Sequence, residues 1–319
     1  MLVLFGLDPD ALGTNYGDTV IRRAIHRRFL DFWLQSGILI ADKDFPDIVS
    51  AIERLPQDLR KRWETVLRMR KFRSGNPNWL PLNQLSTTTQ IHHYCGKATL
   101  LALDEVRAME TGVPSDECSI LLGNPPVELC RFDCVDQSKS LELAKKIASD
   151  PIRANQKVSL LWKERFLSLA KHADANVTII DRYAGERHLL RRDGLSGLRR
   201  FLMGVDAGMT GRIVDVFTAS IDRSATDILT STQSLASNLR QGGISEIRIH
   251  IVPNADFSRI AHHRYVRFGS FVCSLDVGLE VFEGENVFRD CPFSMRQFDD
   301  TARDCESSLR SVSTTHKLK

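Results

Sequence analysis

Residues 258–283 read SRIAHHRYVRFGSFVCSLDVGLEVFE. Two histidines and an arginine, His262, His263 and Arg264, come just before two short apolar runs joined by Phe268-Gly269-Ser270. On a strand, residues two apart project from the same face, so His262 and Arg264 are expected side by side. An imidazole next to a guanidinium is a natural receptor for phosphate. Arginine offers a planar fork of donors, and histidine can donate a proton or attack phosphorus. The competing reading is that these residues are only the solvated start of a hairpin strand.

Working outward, residues 177–183 read VTIIDRY, a strand followed by a turn. Residues 195–205 have helical spacing, 212–218 and 247–252 read as strands, and 224–241 reads as the helix between them. The block after residue 258 supplies two more strands. This order, together with His262 and Arg264, resembles the single phospholipase D-like domain over residues 176–288. Arg264 stands in the lysine place of that family's His-x-Lys half-motif. Ser274-Leu275-Asp276-Val277-Gly278-Leu279 follows where the family has Gly-Ser-x-Asn, and no Asn follows the glycine here. The block looks still closer to the His-Asp-Arg-Tyr variant of phospholipase D-like domains in bacterial defence proteins and in the C-terminal domain of MIT-domain proteins, with His263 in place of the Asp. The resemblance implies a site for phosphodiesters, with His262 and Arg264 as its chemistry-bearing residues. It also implies an anion-binding groove of His263, Arg264, Asp181 and Tyr183. Family members use two histidines, one from each of two half-motifs. A chain with one such block would need a homodimer to be active.

Toward the N-terminus, short apolar runs end repeatedly in an acid. Residues 2–7 end at Asp8, 38–41 at Asp42, 99–103 at Asp104 and 127–132 at Asp133. Continuous apolar runs of this length suit buried parallel strands. In open α/β sheets ligands bind beyond the carboxyl ends of the strands. Asp8, Asp42, Asp104 and Asp133 are therefore candidate ligands for a hard divalent cation, Mg or Mn, with Glu105 and Asp136 in reserve. Asp8 and Asp104 are the candidate catalytic pair. The pattern resembles PIN-like nucleases, whose first strand ends in Asp. The competing readings are a degenerate PIN-like scaffold, or plain capping in which Asp104 and Asp133 cap the helices that follow and Asp8 starts the Asp8-Pro9-Asp10 turn.

Between the runs lie helical patterns. Residues 19–35 place Val20, Ile21, Ala24, Ile25, Phe29, Phe32 and Trp33 on one face, with Arg22, Arg23, Arg27 and Arg28 facing away. That arginine face is a candidate nucleic-acid contact. Residues 47–55 and 57–69 read as two helices meeting at Pro56, and 138–149 and 157–173 as two more. Residues 72–93, with Gly75, Pro77, Pro81 and Ser86-Thr87-Thr88-Thr89, read as a long surface loop.

At 319 residues, two domains are the default. The expectation is an α/β protein with two domains: a PIN-like parallel-sheet domain over 1–155, a linking helix over 156–175, a phospholipase D-like α/β domain over 176–290 and a polar tail over 291–319. The net charge of +3 excludes a strongly basic coat. Seven cysteines without a C-x-x-C pair argue against a disulfide framework and a structural zinc, and point to a reducing cytoplasm. No run is long enough to span a bilayer. Adjacent His92 and His93 cannot face one metal from a single helix face. Gly204, Gly208 and Gly211 are followed by no Lys-Ser/Thr, so there is no P-loop. These features imply a cytoplasmic protein that processes or senses nucleic acid, in the setting of a bacterial defence or toxin system and with a partner protein encoded nearby. The alternative is a non-catalytic module that binds phospholipid or protein.

Overall fold

The computed structural model describes residues 1–41, 43–69, 79–95, 98–173, 176–208, 210–239 and 241–318. The chain forms two units, Met1–Lys146 and Ile147–Lys319. Both are mixed α/β.

The first unit is built on a five-stranded sheet. Its strands are β1 (Val3–Leu7), β2 (Gly37–Leu39), β3 (Leu100–Leu103), β4 (Ser119–Leu122) and β5 (Val127–Arg131), in the order β2-β1-β3-β5-β4. All neighbours are parallel except β4, which pairs antiparallel with β5. The strands read as unbroken apolar runs because both faces of the sheet are covered. Period-two alternation still sorts them. Leu100 and Ala102 join Phe5, Phe29, Trp33, Trp63 and Phe132 in one core, while Leu101 and Leu103 join Trp79, Leu82, Ile91 and Leu129 in the other.

Helix Thr19–Ser36 lies in the first core and is capped by Asp18, whose carboxylate accepts from the Val20 N–H. Val20 and Ile21 remain exposed, so the apolar face of this helix turns inward only from Ile25. Helices Phe45–Glu53 and Gln57–Met69 flank Pro56 as their spacing predicts. The expected loop over 72–93 is in part helical, with a helix at Thr88–Cys95 burying Ile91 and Cys95. Residues 72–78 of that stretch, and Asp42, fall outside the described residues.

The second unit has a seven-stranded sheet. Strands β6 (Asn176–Ile180), β7 (Arg212–Ser220) and β8 (Ile244–Pro253) are parallel. Strands β9 (Tyr265–Phe268), β10 (Phe271–Leu275) and β11 (Phe293–Gln297) continue from β6 as an antiparallel meander, and β12 (Thr314–Lys317) closes the other edge against β8. The order is β11-β10-β9-β6-β7-β8-β12. Helices Gly197–Asp206 and Ala225–Ala236 connect the parallel strands.

Residues 291–319 are not a polar tail: they hold β11, the helix Asp300–Val312 and β12. The helix looks polar because only a narrow stripe is inside, Ala302, Glu306 and Leu309. Glu306 is satisfied there by Arg267 in a two-pronged ion pair at 2.6 and 2.7 Å. The stretch 156–175 is not a free-standing link either, because Ile152 and Lys157 bridge to Cys291 and Asn286 within the second unit. It runs as Val158–Leu161, a widened π turn over Trp162–Phe166, and Leu167–His172. The seven cysteines are all free. Among the described residues no helix is long and apolar enough to cross a membrane.

Candidate functional site

Helix Asn254–Ile260 ends with the Ala261 N–H bonded to the Phe257 carbonyl, and the chain turns at His263 before entering β9 at Tyr265. His262, His263 and Arg264 therefore lie in the connection, not on the strand. Strand alternation does not set His262 beside Arg264, because this stretch lacks strand geometry. The turn itself brings them together. All three line one cavity of about 300 Å³, whose other wall includes Ser274 and Asp276. His262 and His263 also line a second depression of about 420 Å³ with Arg296, Asp304 and Ser308. Both histidines are exposed and Arg264 is half-buried.

The side chain of Arg264 makes no hydrogen bond or ion pair among the described residues. Its guanidinium carbon lies 5.4 Å from the centroid of the Tyr183 ring. Below it, Asp181 is buried at the end of β6 and accepts from the Tyr183 N–H at 3.0 Å and the Leu279 N–H at 2.7 Å. Burial pushes the Asp181 carboxyl up. The two N–H donors, and then Arg264 and His188, act against that. Gly278 makes this approach possible. A Cβ there would come within 2.2 Å of Asp181 Oδ2 and 2.9 Å of Arg264 Cδ, and its φ of +64° suits glycine. Of the residues expected in the anion groove, His263 and Arg264 line the cavity at His262, whereas Asp181 and Tyr183 lie behind Arg264 and outside the lining, with both carboxylate oxygens of Asp181 taken by backbone N–H groups.

In the first unit, the Asp8 and Asp104 strand ends adjoin. Asp8 is fully buried, and its Oδ2 accepts from the Asp104 N–H at 3.3 Å and from Arg107 Nε at 2.9 Å. Burial raises its pKa, with Arg107 the main opposing influence. Asp8 also caps its own turn through the Asp10 N–H, and Asp104 caps helix Glu105–Glu110 through the Val106 N–H. Thr14 donates its hydroxyl to Asp104 as well. Tyr16 is pushed up chiefly by burial, against a hydrogen bond with Thr14, and further by the charges of Asp133, Asp104 and Glu105. Asp133 pairs with Arg131 at 3.6 Å and Asp136 with Arg28 at 3.2 Å. Among the described residues, no group of three His, Cys, Asp or Glu side chains is arranged to hold a metal ion.

The arginine face of helix Thr19–Ser36 is divided. Arg23 and Arg27 line a shared groove with Arg62, while Arg22 reaches the Leu12 carbonyl and Arg28 turns to Asp136. Arg23 is itself paired with Asp58 at 2.8 Å. His92 contacts the Pro125 carbonyl at 3.2 Å. Gly204 and Gly208 admit Trp162 and the Ala170 carbonyl.

Several polar groups escape a reading by motif. Asp44 is buried and accepts from Trp79 Nε1 at 2.7 Å and the Leu82 N–H at 3.0 Å. Burial, the largest influence, lifts its carboxyl to about 6. Glu128, inside β5, accepts from Lys139 and Ser140 N–H and so caps the helix Lys139–Ser149. Asp215 and His250 meet across β7 and β8 at 2.7 Å, and the other ring nitrogen of His250 is 2.8 Å from the Thr315 hydroxyl. One signal was visible: an acid or histidine in the middle of an apolar strand, as in Arg212–Ser220, has to find a partner.

No protein-family model, characterised protein or solved structure matches the chain.

Proposed function

We propose that the second unit binds a phosphodiester of nucleic acid at His262, His263 and Arg264, as a phospholipase D-like module of a protein that processes or senses nucleic acid. The observation that carries this reading is the set of three adjacent basic side chains lining one cavity without a hydrogen-bond partner among the described residues. Donors with no internal partner are available to an outside acceptor. Arg264, steadied over Tyr183, would take a phosphate oxygen with its fork, and His262 or His263 would donate to a second oxygen. Asp276 on the same wall limits the positive charge and could hold a histidine ring. Cleavage would need a second such block from another copy of the chain, facing the first across a two-fold axis. The setting proposed is bacterial defence, with a partner protein.

Fluorescence anisotropy with a labelled single-stranded oligonucleotide tests this. Binding should fall steeply with added salt, because phosphate contacts release counterions. Arg264→Ala should weaken it by about 1–3 kcal/mol, the usual loss for a charge-assisted hydrogen bond. Affinity unchanged in Arg264→Ala would overturn the proposal. Binding of anionic vesicles in place of the oligonucleotide would move the site to the phospholipid-binding alternative.

A second reading concerns the first unit. The adjacency of the Asp8 and Asp104 strand ends, linked from the Asp104 N–H to the Asp8 carboxylate, supports a PIN-like nuclease using Mg or Mn there. For Asp8 to ligate a cation, Arg107 must let go of it. Calorimetric titration with Mn²⁺ tests this, and the absence of any binding heat would remove the reading.

A further inference from the structure

We propose that an apolar pocket in the second unit is a binding site for a small amphipathic anion, a compact acyl or aryl body carrying one carboxylate or phosphate head. The pocket holds about 350 Å³, within the range of ligand sites. It shares no lining residue with the cavity at His262. Val158, Trp162, Met203 and Phe282 form its apolar wall, and Arg199 and Arg200 line it as well.

The wall is preformed. Trp162 stacks on Phe166 at 5.7 Å and meets Phe201 and Phe282 edge-on at 5.7 and 6.0 Å. Its indole packs against the backbone of Gly204, where a Cβ would come within 2.2 Å of the ring. Trp162 is the first residue of the π turn, the widened helical turn that recurs at functional sites. Met203 keeps 48% of its surface exposed although its neighbours are core residues. An exposed, flexible apolar side chain beside an aromatic wall suits an adaptable ligand contact.

The charge calls for an anion. Arg199 has a buried Nε with no hydrogen-bond partner, and it makes no ion pair among the described residues. Arg200 spends its Nε on the Gly194 carbonyl at 2.7 Å and keeps its other donors. Neither arginine is neutralised by the acids that lie beside the lining residues in sequence. Asp193 and Glu283 are both held by Arg191, at 2.9 and 3.3 Å, and Glu164 accepts from Gln156. Both arginines fall in the first turn of helix Gly197–Asp206, which carries no acid there and whose N-cap side chain, Ser196, is buried without a partner. Cations at a helix start oppose the helix dipole, so an anion bound there would relieve two unfavourable features together.

Titration of the full chain with decanoate below its micelle concentration, followed by Trp fluorescence and calorimetry, tests the proposal. Trp33, Trp63 and Trp79 are fully buried in the first unit, so Trp162 reports the site. Decanoate and decyl phosphate should bind saturably, one per chain, and more tightly than decanol. The preferred head identifies the natural class. Arg199→Gln should weaken decanoate by roughly tenfold or more while leaving decanol unchanged. Met203→Trp should fill the pocket and abolish binding of all three. Should Met203→Trp fail to fold by circular dichroism, the half-exposed Arg199 still decides the matter. Decanol binding as tightly as decanoate, equal decanoate affinity in Arg199→Gln, or no saturable binding would each overturn the proposal. Arg264→Ala should leave decanoate binding intact, which separates this site from the phosphodiester site.

Discussion

Arg264 lies over the ring of Tyr183, 5.4 Å from guanidinium carbon to centroid. The loop entering β9 is thereby tied to the turn leaving β6, two segments about eighty residues apart in sequence. The contact holds the guanidinium without consuming its hydrogen-bond donors, which suits a residue that must bind an anion. Tyr183→Leu should therefore weaken oligonucleotide binding by about 0.5–1 kcal/mol, the worth of a cation–π contact at an exposed site. Tyr183→Phe should bind as wild type. Anisotropy titrations of the two variants check this.

Asp181 and Gly278 support that contact from below. Asp181→Ala would leave the Tyr183 and Leu279 N–H groups without an acceptor, at a cost of about 2–6 kcal/mol for the two. Gly278→Ala should cost about 1–3 kcal/mol, from its left-handed φ and the clash with Asp181. Urea denaturation of both variants is the measurement, and the fold of the first unit should be unaffected.

His26 should make stability fall in acid. It is buried between Trp63 and Phe132, accepts from Trp63 Nε1 at 3.0 Å, and is lowered to about 4, chiefly by burial and further by Arg22. An unfolded histidine titrates near 6.5, so the unfolded chain takes up the proton first as pH falls. The contribution is complete above 6.5 and is lost progressively as pH drops to about 4, on the order of 3 kcal/mol. Asp44 works in the opposite sense. Its raised pKa favours the fold below 3.8, and that contribution is lost as pH rises through about 6. Comparing wild type with His26→Phe isolates the histidine. The variant should be less stable at neutral pH, by about 1–3 kcal/mol for the orphaned Trp63 N–H, and its stability should vary less between 6.5 and 4. Urea midpoints across that range decide it.

Arg107→Ala should cost the first unit about 3–5 kcal/mol, because it strands the buried carboxylate of Asp8. Under the metal reading the same variant should bind Mn²⁺ more tightly than wild type, since Asp8 is then free to ligate. Urea denaturation with and without Mn²⁺ reads both effects.

Much of the first unit was legible locally. The apolar runs became β1, β3 and β5, the helices flanking Pro56 fell where their spacing put them, and Asp104 caps a helix, as one of the readings of the acidic strand ends allowed. In the second unit β6 to β10 and the helices Gly197–Asp206 and Ala225–Ala236 follow the expected order, while the short helices Arg187–Leu190 and Asn254–Ile260 were not expected. The helix Asp300–Val312 was missed because its buried stripe is three residues wide and one of them is Glu306. Only the bridge from Arg267 makes that residue an interior one.

What the chain determined by itself is therefore the type and order of those elements with a clear apolar pattern, because the burial pattern that selects helix or strand repeats within a few residues. What the tertiary structure decided is which charges are occupied. Asp8 and Arg107 are 99 residues apart, Arg267 and Glu306 are 39 apart, and Asp181 finds Leu279 across 98. Nothing local distinguishes Arg267, a core ion-pair partner, from Arg264, which keeps its donors. The difference arises only when register and loop closure bring distant segments together, since a buried charge takes whatever partner the fold places within reach.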